Sequence, residues 1–181
     1  MINILKNPIS YEYLQLKKFL LSADFPWYYN SKATPEDVDT GEYQDVPFYG
    51  HVLMSRPRWN TMGEKLYPEV RSLLMENIYP ILEQIIDYNN LEVNCLLRFN
   101  ANCVHPSKDS RLSIPHNDHQ FSHKNILIYF TDSGGETVVF DDEMVKYEFH
   151  PKSEDIITFS GLHCMRPPKE NRRVVLVATY L

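Results

Sequence analysis

From residue 92 to its end, the chain repeats one pattern: a short run rich in Val, Ile, Tyr and Phe, then a cluster of turn-forming residues. The runs fall at 92–100, 124–131, 136–140, 145–149, 155–159 and 174–181, punctuated by Asp132-Ser133-Gly134-Gly135, Asp141-Asp142-Glu143 and Pro151-Lys152-Ser153. β-Branched and aromatic side chains suit a pleated, half-buried surface, and turn signals spaced about ten residues apart define an antiparallel sandwich or barrel. The Gly134-Gly135 pair belongs to this punctuation: between two strands it marks a hairpin, not a phosphate loop.

The first half reads differently. Tyr13, Leu16, Phe19 and Leu20 recur at helical intervals within 11–22, and the stretch 64–90 does the same, with Pro68 and Pro80 as kinks or breaks. Between them, 24–29 and 43–54 carry many aromatics without a clear period, as extended segments and loops do. The expectation is an α+β fold in which N-terminal helices pack outside a β core. It forms a single domain over 1–181, with 1–91 as helix-rich support and pocket segments and 92–181 as the core.

Composition narrows the function classes. At 181 residues, 43% hydrophobic and 13% aromatic, the chain can bury one substantial core. A net charge of −6 argues against nucleic acid or an anionic membrane as partner. Cys95, Cys103 and Cys164 match no CxxC pattern and leave one thiol over in any disulfide scheme. With no signal-type or spanning apolar run, a cytoplasmic protein is expected, as monomer or homodimer.

Chemistry concentrates in Pro115-His116-Asn117-Asp118 and in a distant His163 followed by Arg172-Arg173. In an extended strand residues i and i+2 share a face, so His116 and Asp118 can grip one ion. A second imidazole, His163, from another strand completes a two-His, one-carboxylate facial triad, which suits non-haem Fe(II). If the strand before His163 pairs antiparallel with the one after the Pro167-Pro168 loop, His163 falls opposite Arg172 or Arg173. A guanidinium there would bind a carboxylate through two charge-assisted hydrogen bonds.

The ordered set His116-x-Asp118, Ile128 to Thr131, Gly134-Gly135-Glu136-Thr137, Pro151, Asp155 to Ser160, His163, Pro167-Pro168 and Arg173-Val-Val-Leu resembles the Fe(II)/2-oxoglutarate-dependent dioxygenases, most of all their small prolyl-4-hydroxylase-like members. The resemblance spans roughly 92–181. It implies a double-stranded β-helix, or jelly-roll, core with His116, Asp118 and His163 as Fe(II) ligands. Arg173 then takes the position that pairs with the C5 carboxylate of 2-oxoglutarate, with Arg172 one residue out of register as reserve, and Tyr129 hydrogen-bonds the same carboxylate. The implied reaction consumes 2-oxoglutarate and O2 and hydroxylates an amino-acid side chain, such as a prolyl ring in a protein, or a small metabolite. A different class of function is a cupin-like metal-binding β-barrel, an isomerase or binding module, which needs neither Arg173 nor 2-oxoglutarate.

The neighbouring residues have blander readings. His119 and His123 would make a zinc-type pair only on a helix, which Pro115 and the following strands oppose, and are expected at the entrance or in solvent. His51, His105 and His150 read as surface or loop histidines. Cys164 reads as a small packed side chain, and Lys108, Arg111, Lys124, Arg166 and Lys169 as a solvated face.

Overall fold

A computed structural model describes residues 1–32, 41–59 and 65–181. In chain order the elements are β1 (Asn3–Leu5), α1 (Tyr11–Leu21), β2 (Tyr28–Asn30), β3 (Tyr43–Gln44), β4 (Phe48–Ser55), β5 (Arg58–Trp59), β6 (Lys65–Leu66), β7 (Glu69–Val70), α2 (Met75–Tyr88), β8 (Leu96–Val104), β9 (Leu112–Ser113), β10 (Lys124–Tyr129), β11 (Thr137–Phe140), β12 (Lys146–Phe149), β13 (Ile156–Ser160), β14 (His163–Met165) and β15 (Arg173–Tyr180). The described residues are mostly β with two helices, and their sheets do not close into a barrel.

The major sheet runs β1-β13-β10-β15-β8-β4-β2, with β7 added beside β4, and its pairings are antiparallel. A three-stranded sheet, β12-β11-β14, accompanies it. Two pairings depart from expectation. The strand that carries His163 pairs with β11, His163 opposite Val139, while β13 and β15 both flank β10 and do not pair with each other. The strand-to-strand route predicted from His163 to Arg173 is therefore wrong.

The first half is also less helical than its periodicity suggests. The period in 64–90 is realised as helix only from Met75 to Tyr88, after two short strands; residue 64 itself lies outside the described residues. Pro68 stands between those strands, where its missing N–H matters little, whereas Pro80 is accommodated inside α2. The aromatic segments became β2, β3 and β4, and β4 joins the major sheet through β8. Tyr49 of β4 and Tyr29 of β2 pair in register with rings 5.5 Å apart, so aromatics without helical period serve a sheet.

α1 begins at Ser10, whose side chain accepts a hydrogen bond from the Tyr13 N–H. Tyr13, Leu16 and Leu20 of α1 and Ile78, Leu82 and Ile85 of α2 share one apolar cluster with Phe99, Ala101, Ile126, Ile128, Leu176 and Ala178 of the sheet. Side chains alternate across a strand, so the intervening residues of β8, β10 and β15 face the other way. Leu127, Tyr129, Val175 and Val177 form a second cluster there with Val139 of β11 and Ile157 and Phe159 of β13. Tyr129 and Arg173, two of the candidate site residues, belong to this second face.

Candidate active site

His116 and His163 meet through the backbone. Each donates its N–H to the other's carbonyl, at 2.9 and 3.1 Å, as directly opposed antiparallel partners. Opposed residues share a face, and the imidazole centroids lie 4.7 Å apart. Asp118 reaches them differently from expectation: only His116 is bridged, and Asp118 occupies a bend rather than continuing a strand. The next residue, His119, anchors that bend, because its Nε2 lies 2.8 Å from Thr179 Oγ1 on β15. Thr179 is opposite Arg98 of β8, which brings the Asp118 carboxylate onto the Arg98 guanidinium.

The buried Asp118 carboxylate holds three contacts. Oδ1 accepts from Arg98 Nη1 and, at 3.3 Å, from Arg56 Nη2; Oδ2 lies 3.6 Å from His163 Nε2. Arg56 Nη1 also donates to the Asp118 backbone carbonyl at 2.9 Å. Burial drives the carboxyl pKa upward, but Arg98, His163, Arg56 and His116 together outweigh it and hold the group well below the ordinary carboxylate range.

The two imidazoles are set up alike. Nδ1 of His116 lies 3.2 Å from the Ile114 carbonyl and Nδ1 of His163 lies 3.1 Å from the Gly161 carbonyl. A carbonyl only accepts, so both Nδ1 atoms carry the proton and the neutral rings keep a lone pair at Nε2. Burial, helped by His116, lowers the His163 pKa to about 4, so its ring is neutral at pH 7. A lone pair and a carboxylate oxygen then face each other 3.6 Å apart with no proton between them. That opposition calls for a cation, and two imidazoles with a carboxylate are the donors that suit Fe(II) in kind and tautomer. The spacing is wider than a ligated set: among the described residues, no three His, Cys, Asp or Glu side chains are drawn together as tightly as a bound metal ion would hold them.

Arg173 lines the same cavity as His116, Asp118 and His163. It is 5% exposed, donates through Nε to the Gly135 carbonyl at 3.0 Å and through Nη2 to Thr137 Oγ1 at 3.1 Å, and lies 5.2 Å from the Tyr129 ring centre. Tyr129 is fully enclosed and its hydroxyl shares a 2.7 Å hydrogen bond with Thr137 Oγ1. Gly135 makes room for this arrangement: its φ is +78°, and a Cβ there would stand 2.7 Å from Arg173 Cδ. No carboxylate among the described residues pairs with Arg173. Arg172 faces the other way and donates to the Leu21 carbonyl at the end of α1.

Arg56 and Arg98 were not singled out from the sequence, and Thr137 entered only within the Gly134-Gly135-Glu136-Thr137 motif, without a role of its own. Arg98, Asn100 and Asn102 alternate with Phe99, Ala101 and Cys103 along β8, a period-two polar stripe that could have signalled a cavity-facing strand. Of three bland readings, two are corrected and that of Cys164 stands. His51 is buried, with Nδ1 2.7 Å from the Pro26 carbonyl and Nε2 2.8 Å from Ser72 Oγ. His119 and His123 are buried rather than solvated, and His119 is fixed to β15 as described. Cys164 is buried and its thiol is pushed up to about 12 by desolvation, which leaves it unreactive as a packed side chain.

No protein-family model and no curated protein matches the chain, and its likeness to known proteins is structural. It superposes on a 2OG-Fe(II) oxygenase family oxidoreductase from Burkholderia pseudomallei with a TM-score of 0.71 at 17% identity, covering 99% of this chain and 84% of that one. A prolyl hydroxylase from Trichoplax adhaerens, solved with a hypoxia inducible factor peptide, gives 0.60 at 12% identity, covering 99% and 83%. The non-haem, α-ketoglutarate-dependent epimerase SnoN of nogalamycin biosynthesis gives 0.56 at 12%, covering 99% and 77%. The chain thus shares its fold with these solved 2-oxoglutarate/Fe(II) oxygenases.

Proposed function

We propose that this chain is an Fe(II)- and 2-oxoglutarate-dependent dioxygenase that hydroxylates an amino-acid side chain or a small metabolite. The observation that carries the reading is Arg173: a buried guanidinium with two uncharged hydrogen-bond acceptors, an aromatic face and no carboxylate among the described residues, open to the cavity that holds His116, Asp118 and His163. A buried cation without an anion is costly, so a ligand carboxylate is the natural complement.

In this reading His116, Asp118 and His163 would hold Fe(II). The bound ion and cosubstrate supply the oxidising chemistry: 2-oxoglutarate and O2 give succinate, CO2 and an oxygen atom for the substrate. The protein's own work is placement. Arg173 receives the C5 carboxylate, with the Thr137 hydroxyl beside it and Tyr129 holding that hydroxyl in turn. The Nδ1–H groups of both histidines stay on backbone carbonyls, which fixes the rings and leaves Nε2 for the metal. Leu127, Val177, Cys164 and Met165 line the cavity and limit water around the cosubstrate.

Strands from both halves share the major sheet, which supports a single domain over 1–181, and the three free thiols Cys95, Cys103 and Cys164 fit a cytoplasmic setting. Among the described residues no helix is long and apolar enough to cross a membrane. Epimerases and prolyl hydroxylases share this fold, so the fold does not choose the reaction.

The deciding experiment is anaerobic. Fe(II) and then 2-oxoglutarate are added to metal-free protein, and the weak visible charge-transfer band of the iron-oxoacid complex is sought, with Asp118→Ala and Arg173→Ala alongside. A band that the first substitution abolishes and the second weakens supports the dioxygenase. Metal binding without any band or affinity for 2-oxoglutarate would sink this reading in favour of a cupin-like metal-binding role.

A further inference from the structure

The cavity has a second cationic end that 2-oxoglutarate does not need. Arg98 stands opposite Thr179 and Arg173 opposite Val104, on one face of the β8-β15 pair. At 3.3–3.4 Å per residue their backbones are roughly 20 Å apart along the strands. Arg56 follows directly on β4, whose Met54 faces Phe99, and this places it beside Arg98. Exposure grades along the cavity: Arg173 is 5% exposed, while the side chains of Arg98 and Arg56 are 18% and 42% exposed. Arg173 therefore closes the deep end and Arg56 marks the mouth.

Charge does not balance at that mouth. Asp118 is the sole carboxylate among the described residues lining the cavity, and both outer guanidiniums lean on its Oδ1. In the proposed enzyme, an Fe(II) ion and Arg173 are matched by Asp118 and a 2-oxoglutarate dianion, which leaves Arg56 and Arg98 without a counter-charge. The mouth offers donors and positive charge, and its complement is a group that only accepts.

We infer that Arg56 and Arg98 form the recognition site for an oxyanion on the primary substrate. The substrate is then an acidic small molecule, a carboxylate or a phosphate ester, held by its anion at the mouth while the carbon to be oxidised lies toward His116 and His163. This inference rests on the dioxygenase reading for its chemistry, but the anion site can be tested separately. Two guanidiniums that both hold one carboxylate oxygen of Asp118 show that the site accepts that geometry.

The test follows the arginine Nε–H signals by NMR in the intact Zn(II)-loaded protein, assigned with Arg56→Lys, Arg98→Lys and Arg173→Lys. N-acetylglycine, its uncharged partner N-acetylglycinamide, methyl phosphate and 2-oxoglutarate are titrated separately. The inference expects saturable shifts at Arg56 and Arg98 with N-acetylglycine or methyl phosphate, whichever anion the substrate carries, and none with the amide, while 2-oxoglutarate moves Arg173. Arg56→Gln weakens the responding monoanion about tenfold, as expected for losing one charge-assisted contact, whereas Arg173→Gln weakens 2-oxoglutarate instead. If neither monoanion moves Arg56 and Arg98 while 2-oxoglutarate moves Arg173, the substrate-anion site is overturned and the dioxygenase reading survives. If 2-oxoglutarate moves no arginine while a monoanion moves the outer pair, the anion site stands and the dioxygenase reading falls. Shifts at Arg56 and Arg98 from 2-oxoglutarate, with none at Arg173, would overturn both assignments.

Discussion

The two ends of the cavity solve the same problem, an arginine out of bulk water, in opposite ways. Arg173 is buried against a carbonyl, a hydroxyl and an aromatic ring, without a carboxylate among the described residues. Arg98 and Arg56 keep partial access to solvent and share Asp118. The difference teaches where selectivity resides. A dry cation in a fixed cradle suits one obligatory carboxylate, whereas a wetter pair that can exchange partners suits a ligand that arrives and leaves.

Arg173→Ala should have the largest effect. It removes the charge partner proposed for the 2-oxoglutarate C5 carboxylate, and truncating one member of a buried pair costs about 2–5 kcal/mol. Calorimetric titration of the metal-loaded protein should show a loss of a hundredfold or more in 2-oxoglutarate affinity; a loss under tenfold would place the cosubstrate elsewhere. Asp118→Asn tests the other end through stability. It leaves two partly exposed guanidiniums without their counter-charge and should destabilise the metal-free protein by about 2 kcal/mol, below the usual figure for a fully buried pair because solvent screens both arginines. Urea denaturation measures it, and an unchanged midpoint would show that the pair contributes nothing.

Gly135→Ala perturbs the deep cradle without touching a charge. Its Cβ meets Arg173 Cδ and its φ is positive, so about 1–2 kcal/mol of stability and about tenfold in 2-oxoglutarate affinity should be lost together. Loss of stability with unchanged affinity would show that Arg173 tolerates the shift. Proton linkage gives a smaller, graded effect. His163 and His119 are both lowered to about 4, each chiefly by burial, so between that value and their ordinary 6.5 the unfolded chain binds more protons than the folded one. Metal-free protein should hold this contribution above pH 6.5 and lose it as the pH falls toward 4. Urea midpoints at pH 7 and 5 report it, and equal values would mean that neither ring is held neutral. Arg56→Gln should be the mildest for stability, within about 0.5 kcal/mol, since a half-exposed ion pair contributes little; a larger loss would make Arg56 a structural clamp on Asp118.

Much of the fold was legible because it depends on local patterns. The period of 3.6 at Tyr13, Leu16 and Leu20 located α1, and the turn clusters at 132–135, 141–143 and 151–153 separated β10 through β13. The legible part ended where a pattern had two physical outcomes. Residues 64–90 kept a helical period over segments that became strands, because pairing Met54 with Val70 and Arg58 with Leu66 competes with local propensity and cannot be seen in sequence order. The brief β14 is too short for any periodicity, yet it carries His163.

Residue types and short spacing were enough to nominate the candidate donors: two histidines, one carboxylate and an arginine, with a glycine pair shortly before Thr137. These depend on residue chemistry and short spacing. How they meet follows from contacts between strands far apart in the chain. His163 reaches His116 through a backbone bridge, Asp118 turns onto Arg98 because His119 is tied to Thr179, and Arg173 rather than Arg172 enters the cavity because strand parity sends the two to opposite faces. Each of these outcomes is a register or a long-range pairing between strands distant in the chain. A slip of one residue would invert the faces, and no window of sequence contains both partners.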